Sequence, residues 1–138
     1  MNARLILYLP SPSECVRKGM EVGCIHHAVG DEVLAGFSRV LRRGCRKGDL
    51  AARFGGEEFS ILLPTTGRFP ASLVAERIRK ATEALPLGRM HPVQVTVSIG
   101  VASTEELPEP REAAELLRRA DAALYRAKTE GRNRVVAG

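Results

Sequence analysis

Arg53-Phe54-Gly55-Gly56-Glu57-Glu58-Phe59 gathers the residue types that a metal-bound phosphate requires. A bare two-glycine turn brings backbone close to a ligand. The two carboxylates beside it are hard oxygen donors, and Mg2+ is usually held by one or two carboxylates together with substrate phosphates. The same residues also fit a plain hairpin with charged flanks. Asp31 stands where a helix begins and suits an N-cap. Lys128 and Arg132 fit the solvated C-terminus of another helix.

The elements that position these groups are legible around them. Arg4 to Leu9 reads as a short buried strand, broken by Pro10-Ser11-Pro12-Ser13 because proline lacks the ladder donor and restricts its neighbour. Glu14 to Ile25 carries no clear period. Val33, Leu34, Phe37, Val40 and Leu41 recur at helical spacing, which predicts a first helix with Gly30-Asp31 at its start and its end near Gly44. Leu50 to Phe54 and Glu58 to Leu63 read as two strands of a hairpin, with Gly55-Gly56 supplying positive backbone angles. Pro70 opens a second helix that turns Leu73, Val74, Ile78, Ala81 and Leu85 inward before Pro86 and Gly88. Val93 to Val101 alternates apolar and polar residues, as a half-buried strand does. A third helix runs from Pro110 to about Lys128, with Ala113, Leu116, Leu117, Ala120 and Leu124 inward and Gly131 at its cap, and Arg134 to Val136 forms a last strand. This order predicts one α+β domain with a mostly antiparallel sheet covered by helices.

Composition narrows the function. A chain of 138 residues, 44% hydrophobic and 27% charged, suits one soluble domain. The net charge of +5 favours an anionic partner. Aromatics make up only 4% and Trp is absent, so no base-stacking platform exists and nucleic-acid binding is not expected. Cys15, Cys24 and Cys45 form no metal-binding spacing and read as free cytosolic thiols. The apolar run Leu5 to Leu9 is too short for a membrane span or a signal peptide, which predicts a cytoplasmic protein without a membrane segment.

Gly55-Gly56-Glu57-Glu58-Phe59 resembles the GG(D/E)EF signature of the catalytic GGDEF domain of bacterial diguanylate cyclases. His27-Ala28-Val29-Gly30-Asp31-Glu32-Val33-Leu34 is similar to that family's GH-x-x-GD-x-x-L segment, with His26 in place of the usual glycine. Val97-Ser98-Ile99-Gly100-Val101 resembles its SIGVA strand. Ala120 to Lys128 followed by Gly131-Arg132-Asn133 resembles its AD-x-ALY-x-AK-x-x-GRN ending. The resemblance divides the chain into an atypical segment 1–26 and a GGDEF-like part 27–138. It implies a nucleotide cyclase-like fold and condensation of two GTP into cyclic di-GMP in a homodimer that uses Mg2+. It further implies that Glu57 holds the metal and assists deprotonation, that Glu58 supports the site, and that Gly55 and Gly56 lie against the nucleotide. Asp31 would bind guanine, and Lys128 and Arg132 the phosphates. Arg46-Lys47-Gly48-Asp49 resembles the family's Arg-x-x-Asp product site for cyclic di-GMP, with Arg77 in support; an arginine there forks hydrogen bonds onto a phosphate or guanine edge.

The family's opening DxLTGLxNRR-like segment and its Asp-x-Asp-x-Phe-Lys strand end are not legible here. A gap-free count back from Asp31 puts Glu14 at the first metal-binding aspartate, Gly19 at the lysine and Val22 at a guanine-binding asparagine. Two expectations therefore stand side by side. One is a diguanylate cyclase; the other is a noncatalytic relative that binds GTP or cyclic di-GMP as a receptor or regulatory module.

Overall fold

Leu5 to Leu9 is apolar at every position, and a computed structural model of the chain shows why. The structure describes residues 1–9, 27–84, 86–88, 90 and 92–138. Strand β1 (Asn2–Tyr8) lies in the middle of a five-stranded sheet, and helices cover both faces. Ala3, Leu5, Leu7 and Leu9 enter one apolar cluster, while Ile6 and Tyr8 enter the other. A strand buried on both faces has no polar side to show.

The other elements follow as α1 (His27–Gly44), β2 (Leu50–Arg53), β3 (Glu58–Pro64), α2 (Arg68–Ala84), β4 (Ser98–Ser103), a 3-10 turn (Thr104–Glu106), α3 (Ala113–Thr129) and β5 (Val135–Ala137). The sheet order is β2-β3-β1-β4-β5. Every pairing is antiparallel except β4 with β5. The α+β reading with a mostly antiparallel sheet thus holds. Helices α1 and α2 supply Val33, Phe37, Leu41, Ala71, Ala75 and Ile78 to the first cluster. Helix α3 supplies Leu116, Ala120 and Leu124 to the second. No helix among the described residues is long and apolar enough to cross a membrane.

Several local expectations are corrected. Helix α1 begins at His27 rather than at Gly30-Asp31, so Asp31 sits inside the helix and cannot be its N-cap. Leu73 and Ala113 face outward. In α2 the buried stripe is Ala71, Ala75, Ile78 and Thr82, a helical spacing that Leu73 misses. Strand β4 starts only at Ser98, with Val93 held by an isolated bridge to Leu87. All of β4 is buried, so it is not half-exposed. Its small residues Ser98, Gly100 and Ala102 alternate with larger ones because α3 lies directly on them: a Cβ on Gly100 would run into the Ala120 carbonyl and the Leu124 backbone. The turn residues 10–13, Glu14, Cys15 and Cys24 lie outside the described residues.

Helix α2 receives its N-terminal cap from another part of the chain. Glu105 Oε2 accepts from the Arg68 N–H at 2.9 Å, and Arg68 pairs with Glu106 at 2.5 Å. A carboxylate at a helix N-terminus satisfies an orphan donor and complements the dipole. Glu105→Ala should lower stability by about 0.5–2 kcal/mol, the usual cost of losing a cap, read as a reduced urea midpoint. An unchanged midpoint would show that water replaces this carboxylate without loss.

Candidate functional site

The turn between β2 and β3 is closed by the Phe54 N–H, which donates to the Glu58 carbonyl at 2.8 Å. Arg53 folds back over it, with Nε on the Gly55 carbonyl at 3.0 Å and Nη2 on the Gly56 carbonyl at 2.9 Å. Neither glycine adopts a left-handed φ, contrary to the sequence expectation, because this longer turn closed by a guanidinium does not need one. A Cβ on either glycine would meet nothing within 4 Å. The missing side chains therefore clear the approach from outside and relieve no crowding within.

Glu57 and Glu58 are half-buried, and neither carboxylate has a hydrogen bond or ion pair among the described residues. The main chain around them is fixed: the Leu9 N–H donates to the Glu57 carbonyl at 2.9 Å, and Tyr8 stands opposite Glu58 in the β1–β3 register. Phe59 meets Phe37 edge-on, ring centroids 4.9 Å apart, on the α1–α2 face. By the alternation of a strand, Glu58 and its cross-strand neighbour Tyr8 project on the α3 face.

The cations arrive on that face from the end of α3. Gly131 has φ 124°, and the Arg132 N–H donates to the Ala127 carbonyl at 2.9 Å, a Schellman closure that only glycine adopts without strain. Arg132 and Asn133 are also left-handed, at φ 64° and 45°. Lys128 Nζ lies 4.0 Å from the centroid of the Tyr8 ring, and the Arg132 guanidinium lies 5.3 Å from it. Tyr8 thus joins the glutamate turn to the two cations at one end of the sheet.

The left-handed turn is secured from α2. Asn133 donates its N–H to Ser98 Oγ at 3.2 Å, its Oδ1 accepts from Arg79 at 3.0 Å, and its amide nitrogen donates to Glu83. Arg79 also pairs with Glu76 at 2.6 Å and Glu83 at 3.0 Å. The hydrogen bond from Arg79 holds the Glu76 carboxyl below the usual carboxylate range and is the main cause of the raised Arg79 pKa.

Arg46, Asp49 and Arg77 form a separate group at the C-terminus of α1. The Arg46 N–H donates to Asp49 Oδ2 at 2.7 Å, and its guanidinium donates to Thr66 Oγ1 at 2.6 Å and to the Pro64 carbonyl at 3.1 Å. The Asp49 side chain is buried, whereas that of Arg46 is 62% exposed. Arg77 donates to the Gly44 carbonyl at 2.8 Å. Burial first, then the Asp49 carboxylate, pushes the neighbouring Cys45 thiol up, against an opposing effect of Arg77. Asp31 is exposed on α1, without a side-chain partner among the described residues.

Among the described residues no group of three or more His, Cys, Asp or Glu side chains could enclose a metal. The chemistry of Glu57 and Glu58 nevertheless fits Mg2+, because even one carboxylate without a partner among the described residues serves when substrate phosphates complete the shell. Glu14 lies outside the described residues. Sequence reasoning gave no role to Tyr8, Arg79 or Glu83, and named Arg53 only as part of the turn segment. The signal for Tyr8 was present, an aromatic with a polar tip closing an apolar strand, but the gap-free count drew attention past it to Glu14.

The family model described as "Diguanylate cyclase, GGDEF domain" matches residues 26–134. The diguanylate cyclase DgcM of Escherichia coli strain K12 is 47% identical over 111 residues, which cover 80% of this chain and 26% of that protein. The response regulator PleD of Caulobacter vibrioides is 43% identical over 113 residues, 80% of this chain and 24% of that protein. The chain spans about a quarter of the length of these curated relatives. Among solved structures, the GGDEF domain of DgcB from Caulobacter crescentus, in complex with c-di-GMP, superposes with a TM-score of 0.80 at 30% identity, covering 99% of this chain and 77% of that one.

Proposed function

Because this chain belongs to the GGDEF family of diguanylate cyclases, we propose that it condenses two GTP molecules into cyclic di-GMP as a homodimer. The observation that carries this reading is the meeting at one sheet end of the bare glycine turn, Glu58 opposite Tyr8 in the strand register, and Lys128 and Arg132 over the Tyr8 ring, with Glu57 next to Glu58 in the turn. Each protomer holds one GTP, and the 3′-oxygen of each attacks the α-phosphorus of the other, releasing pyrophosphate. Glu57 would hold Mg2+ and takes up the proton of the attacking hydroxyl, with Glu58 beside it in the chain. The metal, when bound, offsets charge developing on the phosphorus oxygens. Gly55 and Gly56 leave the nucleotide an open approach, Asp31 accepts from guanine, and Lys128 and Arg132 hold phosphate oxygens. Residues 1–26 form an atypical lead-in to the GGDEF-like part, with β1 as its contribution to the sheet. Cyclic di-GMP binds at Arg46, Asp49 and Arg77, where its phosphates meet a partly exposed guanidinium already held by Thr66 and the Pro64 carbonyl, with Asp49 3.5 Å away. The use of GTP suits a cytoplasmic location.

The test is incubation of the purified chain with GTP and Mg2+, reading cyclic di-GMP by chromatography. Product formation is the expected result. No product, together with cyclic di-GMP binding that is lost in Arg46→Ala, would replace the cyclase by a receptor.

A further inference from the structure

We infer that Tyr8 is a positioning residue that gathers Lys128 and Arg132 into a seat for polyphosphate before any ligand arrives. The inference rests on the nucleotide reading above and adds to it a residue that none of the sequence motifs contains.

Two cations that approach the same ring repel each other, and something must hold them there. The negative face of an aromatic ring attracts an ammonium or guanidinium within about 6 Å of its centroid. Lys128 Nζ at 4.0 Å and the Arg132 guanidinium at 5.3 Å both meet that condition. Among the described residues the Lys128 ammonium has no carboxylate partner and no hydrogen bond, so the ring is what orders it. A free lysine side chain loses rotamer freedom when fixed, a cost that a ligand would otherwise bear on binding.

The ring itself is firmly set. Tyr8 is 7% exposed and packs in the cluster of Ile6, Ala102, Leu116, Ala120 and Leu124. Its strand is hydrogen-bonded on both sides, to β3 and to β4. Arg132 is delivered by the left-handed turn that Asn133 and Arg79 secure. A point-charge ammonium beside a planar guanidinium fork is the donor set for phosphate oxygens. Glu58, cross-strand from Tyr8, places a carboxylate next to the seat, where a cation bound with the polyphosphate would sit.

The experiment titrates the full chain with GTP, guanosine and inorganic pyrophosphate by calorimetry, for wild type, Tyr8→Leu and Tyr8→Phe. Tyr8→Leu should weaken GTP and pyrophosphate by about 3- to 30-fold and leave guanosine unchanged, while Tyr8→Phe, which keeps the ring, should stay within about twofold of wild type. Equal GTP affinity in wild type and Tyr8→Leu would overturn the inference while leaving the nucleotide reading intact. So would a parallel loss of guanosine binding, or a Tyr8→Phe variant as weak as Tyr8→Leu. A wild-type chain that fails to bind GTP would overturn both. Should Tyr8→Leu not fold, the wild-type protein decides by NMR: ring currents should move the Lys128 side-chain protons nearest the ammonium upfield, and random-coil shifts there would overturn the inference.

Discussion

Gly100→Ala is expected to cost about 3 kcal/mol or more of folding stability, a large share of the roughly 5–15 kcal/mol that holds a domain of this size together. Gly100 sits in the middle of β4, paired with Ile6 of β1 on one side and Val136 of β5 on the other. A methyl group there would collide with the Ala120 carbonyl and the Leu124 N–H, and would lie 2.9 Å from Leu124 Cα. These are backbone atoms of α3, so no rotamer change relieves the contact. The helix must lift, and the apolar cluster of Ile6, Leu116, Ala120 and Leu124 opens with it. Urea unfolding of the variant measures the loss, with Gly56→Ala as the comparison. The latter meets open space and should stay within about 0.5 kcal/mol of wild type. A midpoint for Gly100→Ala equal to that of Gly56→Ala would show that α3 can be raised from the sheet almost without cost.

Glu57→Ala should have the opposite profile, reducing cyclic di-GMP formation by about 10²–10⁴-fold, the range for removing a group that transfers a proton in the transition state. Its effect on the urea midpoint should be small. The Glu57 side chain has no partner among the described residues, and its structural tie is the main-chain carbonyl that accepts from Leu9, which alanine keeps. Steady-state kinetics with GTP and Mg2+ would make the measurement. A variant that retains more than a tenth of the wild-type rate would remove Glu57 from the chemistry and direct attention to Glu58.

Features governed by local periodicity and by the four motifs were legible in the sequence. The stripe Val33, Phe37 and Leu41 reports burial directly, and the glutamate turn and the Gly131 cap were found from their residues alone. Features set by distant partners were not. Leu73 looked inward because it is apolar, yet the sheet lies under Ala71, Ala75 and Ile78. Ser98 and Gly100 looked like the wet side of a strand, when they are small because a helix backbone rests on them. Asp31 resembled a cap because glycine precedes it, but α1 extends a further turn back to His27. Tyr8 escaped notice since its role depends on residues 120 or more positions later, which no local window connects.

The central place of β1 has a consequence for biosynthesis. Its two neighbours are β3 and β4, so Ala3 finds its partners in Leu63 and Ser103. As the chain leaves the ribosome, β1 emerges before both of its neighbours: β3 can cover one edge first, and the other edge stays open until β4 has followed. Pairing across such separations closes long loops and slows folding. During that interval Leu5-Ile6-Leu7-Tyr8-Leu9 is an apolar strand with an open edge, the kind of segment that associates with other copies before its own sheet is complete. Yield of soluble protein should therefore depend on how quickly β4 follows, and slower synthesis should favour inclusion bodies.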